Sequence, residues 1–201
     1  MKKALCIAIA SLGLFAAGCN EGEDTLTTQQ TAIVRYLTST RRMVSLAEVG
    51  DVIEDNPPFY TEHGRSAYRH IANYYDAGRD NRTEVVPGST VEIHFNAYVF
   101  NGSEPSLTSV YWSNIPATIR SLEAGYANPY DDLAWSTEPL VIKLGSTNVI
   151  KGLEESLVGC RDKDSVQIYM TYNLAYGKKL LGTVPKNSSV AWYIKILNVT
   201  K

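Results

Sequence analysis

The chain has 201 residues, 44% of them hydrophobic and 20% charged, values of an ordinary globular protein that exclude wholesale disorder. Nineteen Lys and Arg face 21 Asp and Glu, so no basic surplus exists to neutralise a phosphate backbone, and nucleic acid is excluded as a partner. A chain of this length makes one domain, or one domain with an extension, and can bury a sizeable core.

The first segment is not part of the fold. Met1-Lys2-Lys3 is positive, Ala4 to Ala17 is almost wholly apolar, and Ala16-Ala17-Gly18 leads into Cys19, the build of a secretory signal over residues 1–18. The apolar run is too short to cross a bilayer as a helix, which takes about 20 residues. Ala16-Ala17-Gly18-Cys19 resembles the lipobox of a bacterial lipoprotein, although Ala16 stands where Leu is more usual. That resemblance implies an acylated Cys19, a membrane anchor through it, and a place in the bacterial cell envelope, at the outer membrane and facing periplasm or surface. The alternative is a plain signal peptide ending in a chance cysteine. Residues 19–26, with the acidic run Glu21-Gly22-Glu23-Asp24, read as a tether. Without residues 1–18, 17 basic residues face 21 acidic ones and the mature surface is mildly acidic. Cys160 is then left with no intramolecular disulfide partner, as a reactive thiol or as a small buried hydrophobe on a helix face.

Residues 27–87 form an N-terminal extension, partly helical. Ile33, Val34 and Leu37, then Val44, Leu46 and Val49, predict a helix over 27–49 with Thr27 or Thr28 as N-cap. Asn56-Pro57-Pro58 breaks it. Phe59, Tyr60, Tyr68, Ile71, Tyr74 and Tyr75 fit either strands or one helix over 59–78. Residues 76–81 and Pro87-Gly88 are turns.

From residue 88 the pattern sharpens. Val91, Ile93, Phe95, Ala97 and Val99 alternate with Glu92, His94, Asn96 and Tyr98, the period of a strand with one face buried. Two more alternating strands follow, through Val166, Ile168, Met170, Tyr172 and Leu174, and through Val190, Trp192, Ile194 and Ile196. Between the first strand and these, Ile150, Leu153, Leu157 and Cys160 share one face of a short helix. The fold class is therefore α+β, a twisted antiparallel sheet wrapped around one short helix, with an N-terminal helical extension. None of His63, His70 and His94 has a second ligand at zinc-like spacing, and no phosphate loop, dinucleotide turn or nucleophile elbow occurs. Metal, hydrolase, kinase and dehydrogenase readings therefore have no motif to stand on, and no cofactor is expected.

Three ordered stretches carry a resemblance: Leu144-Gly145-Ser146-Thr147-Asn148-Val149-Ile150-Lys151-Gly152-Leu153, then Asn173-Leu174-Ala175-Tyr176-Gly177, then Val184-Pro185-Lys186-Asn187 leading to Trp192. This order resembles the FKBP-type peptidyl-prolyl cis/trans isomerases over residues 88–201, with an insertion at about 103–129 rich in Tyr, Trp, Ser and Pro. The resemblance implies an apolar cup with Val149 and Ile150 at its mouth and Leu153 as its floor. Phe95, Tyr130, Leu140 and Trp192 would be walls, and Tyr176, Asp131 and Val184 the rim. Tyr176, Asp131 and the Ile150 N–H would act on a bound proline-containing polypeptide. Asp131 could equally serve an Asx turn after Asn128-Pro129, and Tyr111 and Trp112 read as ordinary packing in the insertion.

Departures from the family pattern are specific. Leu153 replaces a Trp at the floor, Phe95 replaces a Tyr, Thr183 replaces an apolar flap residue, and Lys178–Gly182 is one residue short. Each makes the cup shallower or less ordered. The resemblance thus implies a lipid-anchored prolyl isomerase for exported proteins, or alternatively a catalytically degenerate binding or chaperone module of the envelope. A weaker third reading is a structural component of a surface complex.

Overall fold

The computed structural model describes residues 21–125 and 135–201; Cys19, Tyr130 and Asp131 lie outside the described residues. Eight strands form one sheet: β1 (Val44–Ser45), β2 (Phe59–His63), β3 (Ala67–Ile71), β4 (Thr90–Val99), β5 (Val110–Ser113), β6 (Leu140–Lys143), β7 (Ser165–Met170) and β8 (Val190–Thr200). Among the described residues three α-helices accompany them: α1 (Glu21–Arg35), α2 (Pro116–Gly125) and α3 (Lys151–Leu157). The strand order is β1-β2-β3-β7-β8-β4-β5, with β6 also paired to β4. All pairings are antiparallel except β1 with β2, so the sheet is mixed.

The alternating residues of β4 do what their period demands. Val91, Ile93, Phe95 and Ala97 are fully buried on the face that carries α3. They meet Ile168, Trp192, Ile194 and Ile196 from β7 and β8, and Leu153 and Leu157 from the helix. Helix α3 lies close to the sheet because its second residue is Gly152. A Cβ there would stand 2.6 Å from Met170 Sδ and 3.0 Å from the Leu174 Cβ. Cys160, just past the helix, is fully buried, and burial pushes its thiol up to about 11, so it packs as a hydrophobe and holds its proton.

The opposite face is covered as well, which the alternation on β4 does not predict. Ile33, Tyr36 and Leu37 of α1 and its continuation pack on Tyr98, Phe100, Tyr169 and Ala191, all buried. One strand face carries polar residues where β4 is uncovered and a buried Tyr98 where the helix crosses it. Residues 27–87 are correspondingly no appendage. Strand β3 pairs with β7 from Ala67↔Met170 to Ile71↔Val166, so the extension supplies part of the central sheet.

Three predicted boundaries move for local reasons. The first helix begins at Glu21, inside the stretch read as a tether, and gives way at Tyr36–Thr40 to a π-helical turn. Arg42, at φ 52°, then turns the chain so that Val44 can pair with β2, and Leu46 and Val49 lie in a 3₁₀ turn capped by Ser45 and Glu48. Residues 59–71 are a hairpin, reversed at Gly64 and Arg65, both with positive φ. Strand β7 stops at Met170 because the Thr171 N–H and hydroxyl both donate to the Ser66 carbonyl. Tyr172–Leu174 then turns away as a 3₁₀ helix.

The insertion is built into the sheet. Strand β5 pairs with the second half of β4, and β6 with the first half. Buried Asn114 fills the gap between them. Its Oδ1 accepts the Phe95 N–H at 2.7 Å, and its Nδ2 donates to the carbonyls of Ile93 and Glu138, each at 3.0 Å. A side-chain amide thereby replaces a ladder rung where neither strand reaches.

Candidate active site

A cavity of about 460 Å³ opens between the start of α3, strand β8 and the segment after Tyr172. Val149 and Ile150 reach it from the turn joining β6 to α3. That turn is fixed from within: the Lys143 N–H donates to Thr147 Oγ1 at 2.8 Å, the Val149 N–H to the Thr147 carbonyl at 2.9 Å, and the Gly145 N–H to the Glu154 carboxylate. Ile150 is extended (φ −64°, ψ 140°), and its carbonyl accepts the amides of Leu153 and Glu154. Its own N–H has no acceptor among the described residues and stands at the cavity mouth.

The walls are aromatic. Trp192 on β8 lines the cavity and stacks on Phe95 behind it, with centroids 4.6 Å apart and planes 19° from parallel. Trp112 on β5 closes the corner edge-on, 4.8 Å from Phe95 and 5.7 Å from Trp192. A polar thread runs through this wall: Trp192 Nε1 donates to the Tyr111 hydroxyl at 2.8 Å, which lies 3.1 Å from the Tyr176 hydroxyl. The indole fills one acceptor site of the Tyr111 oxygen, and either hydroxyl can donate across the tyrosine pair beside the cavity. Leu153 is the buried floor, and Leu140, Ala175 and Leu181 complete the apolar lining. Among the described residues, the charged members of the lining are Lys151 and Lys179.

Six residues expected at the cup are thus brought together around one concavity: Leu140, Val149, Ile150, Leu153, Tyr176 and Trp192. Two are placed otherwise. Phe95 is fully buried and supports Trp192 from behind instead of facing the space. Val184 is not at the rim. It exchanges backbone hydrogen bonds with Leu181 at 2.8 and 3.2 Å, and this tight turn drives Val184 into the core while Leu181 faces the cavity. Tyr130 and Asp131 fall outside the described residues, so the strand walls described are those supplied by β5, β6 and β8.

Trp112 and Tyr111 were read from the sequence as packing, yet they form a wall and a link in the hydroxyl pair. Their signal was present in Val110-Tyr111-Trp112, a cluster of strong strand formers inside a segment otherwise rich in Ser and Pro. Tyr111 also brings a hydroxyl to a wall where Phe95 has none. Asn114 gave no such signal, since an Asn before Ile-Pro reads as a loop residue.

Chemically, the arrangement offers a largely apolar hollow with a backbone donor at its mouth and the Tyr176 phenol at its side. It suits a small apolar ring attached to an amide. Among the described residues no group of three or more His, Cys, Asp or Glu stands where it could hold a metal ion, and no helix is long and apolar enough to cross a membrane.

Residues 123–197 match the family model of the FKBP-type peptidyl-prolyl cis-trans isomerases. The chain is 36% identical over 62 residues to FK506-binding protein 4 of Aspergillus fumigatus, covering 31% of this chain and 13% of that protein. It is 30% identical over 61 residues to FK506-binding protein 1 of Aspergillus oryzae, covering 30% of this chain and 53% of the relative. The chain therefore spans at most about half the length of these two curated relatives. Among solved structures, the N-terminal domain of FKBP42 from Arabidopsis thaliana superposes with a TM-score of 0.50 at 13% identity, covering 75% of this chain and 98% of that one. The fold is FKBP-like.

Proposed function

We propose that the chain, whose residues 123–197 match the family model of the FKBP-type peptidyl-prolyl cis-trans isomerases, catalyses cis/trans isomerisation of prolyl bonds in exported polypeptides. The observation that carries this reading is the open apolar cavity with Ile150 at its mouth and Tyr176 at its side. The barrier to rotation, about 18–20 kcal/mol, arises from amide resonance, and the twisted amide has lost that resonance. A catalyst need only bind the twisted form better than either planar one. Leu153, Val149 and Trp192 would take the proline ring and strip water from the amide. The Ile150 N–H would anchor a substrate carbonyl, and the Tyr176 hydroxyl, paired with that of Tyr111, would donate to the chain as it turns. Asp131 would set the local field.

Exchange spectroscopy on a proline peptide, with the chain from Asn20 onward, tests the reading. Exchange faster than the uncatalysed rate supports it, and exchange at that rate removes it. A binding or chaperone module without catalysis is the second reading, favoured by Leu153 at a floor where the family has Trp. It predicts peptide binding at the same cavity with no rate enhancement.

We further propose that Cys19 is acylated and holds the protein in the cell envelope, supported by Ala16-Ala17-Gly18-Cys19 after an apolar run. Radiolabelled palmitate should enter the wild-type chain and not Cys19→Ser; equal labelling of both, or of neither, removes the anchor.

A further inference from the structure

Gln29 lies on α1, far in sequence from the cavity, and its carboxamide reaches both ends of the segment that forms one side of it. Its Oε1 accepts the Tyr172 N–H at 2.8 Å, and its Nε2 donates to the Asn187 carbonyl at 2.6 Å. Between those two residues lie Tyr176, Lys179 and Leu181, all of which line the cavity. Within the segment, the Gly177 N–H donates to the Tyr172 carbonyl at 2.8 Å and the Asn187 N–H to the Gly177 carbonyl at 2.9 Å. Gln29 therefore closes a ring of backbone bonds in the place a neighbouring strand would occupy. A carboxamide fits because it presents an acceptor and a donor together; neither a carboxylate nor an ammonium does. The helix behind it is fixed, since Ile33, Tyr36 and Leu37 are buried against the far face of the sheet.

We propose that Gln29 is a positioning residue for the cavity: α1 holds the loop from Tyr172 to Asn187 at a set distance from the sheet, and so holds Tyr176 against Tyr111 and Leu181 at the mouth. The functional consequence rests on the isomerase reading, whereas the contact itself does not. Val184 anchors the middle of the loop in the core, and its two ends are the points at which α1 grips it.

The test uses the full chain with Gln29→Met, which keeps side-chain length and removes both hydrogen-bonding atoms, and Gln29→Glu, which keeps the acceptor and loses the donor. Amide hydrogen exchange over residues 172–187 should accelerate about tenfold in Gln29→Met while the amides of β4 and β8 keep their rates. KM for a proline peptide should rise about three- to tenfold with kcat within about twofold. Gln29→Glu should recover towards wild-type KM as pH is lowered and its carboxyl gains a proton to donate to Asn187, a pH dependence the wild type lacks. Unchanged exchange over 172–187 overturns the proposal. So does faster exchange across β4 and β8 as well, which would make Gln29 merely structural, and so does faster loop exchange with an unchanged KM. A wild-type chain without isomerase activity would sink the parent reading instead, and the exchange pattern would still decide whether Gln29 holds the loop.

Discussion

The two faces of the sheet are made by the same strands and solve opposite problems. On one, α3 packs against Ile93, Ile168 and Ile194 and stops short of Trp192, leaving the cavity. On the other, Tyr36, Tyr98, Phe100, Tyr169 and Tyr193 close edge against face, or tilted for Tyr36 on Tyr169, with centroids 5.1 to 6.1 Å apart. That face is filled completely enough for burial and the neighbouring Tyr193 to hold the Tyr169 phenol far above its ordinary value. A seven-residue helix leaves its face of the sheet open beside Trp192, while the longer α1 with its turn seals the other over Tyr98, Tyr169 and Ala191. The open face can bind and the closed face holds the fold.

The largest expected effect breaks the closed face. Tyr169→Ala should lower the unfolding free energy by about 3–5 kcal/mol, read by urea denaturation, while kcat/KM measured well below the midpoint stays near wild type. A large loss of activity in the folded variant would show that the faces are not separable. Next, Asn114→Ala strands the buried Phe95 N–H and the Ile93 carbonyl, at a cost of about 1–3 kcal/mol. Because Phe95 supports Trp192, this substitution should impair both stability and peptide binding, the one case where the faces fail together.

On the open face, Tyr176→Phe removes a single hydroxyl and should lower kcat/KM roughly tenfold with less than about 1 kcal/mol of destabilisation. Loss of stability without loss of activity would reverse the assignment. The smallest effect is a titration. Burial holds the His70 imidazole below its ordinary value of 6.5, and burial followed by Arg69 does the same to His63. The unfolded chain takes up these protons first, so stability is full above about pH 6.5 and is lost as pH falls through the folded-state values. Urea midpoints should decline from pH 7 to pH 5, less steeply in His70→Gln, whereas a midpoint that rises on acidification would contradict the sign.

The open face was largely legible in the sequence. Val91 to Val99 and Val190 to Ile196 alternate over long runs, and Val149-Ile150 sits where a turn meets a short apolar helix stripe. The closed face was not, because on β4 it consists of Glu92, His94, Asn96 and Tyr98, a pattern that reads as solvent. Only the tertiary placement of α1 buries Tyr98, and no local period encodes that. The hairpin at 59–71 stayed ambiguous since its aromatics suit strand and helix alike, and Arg65 rather than a second glycine takes positive φ in its turn. Strand β5 was missed because four residues are too few to show a period, and Asn114 because a side chain standing in for a ladder rung has no sequence signature.

Helix α1 begins at Glu21 and its far end is buried against the sheet through Ile33 and, in the turn that continues it, Tyr36 and Leu37. Its fifteen residues rise about 22 Å, and Gln29 grips the loop beside the hollow partway along that length. A pull on the leading end of the helix would therefore be felt at the hollow through one carboxamide, so mechanical load on the helix and peptide capture would compete for the same two bonds.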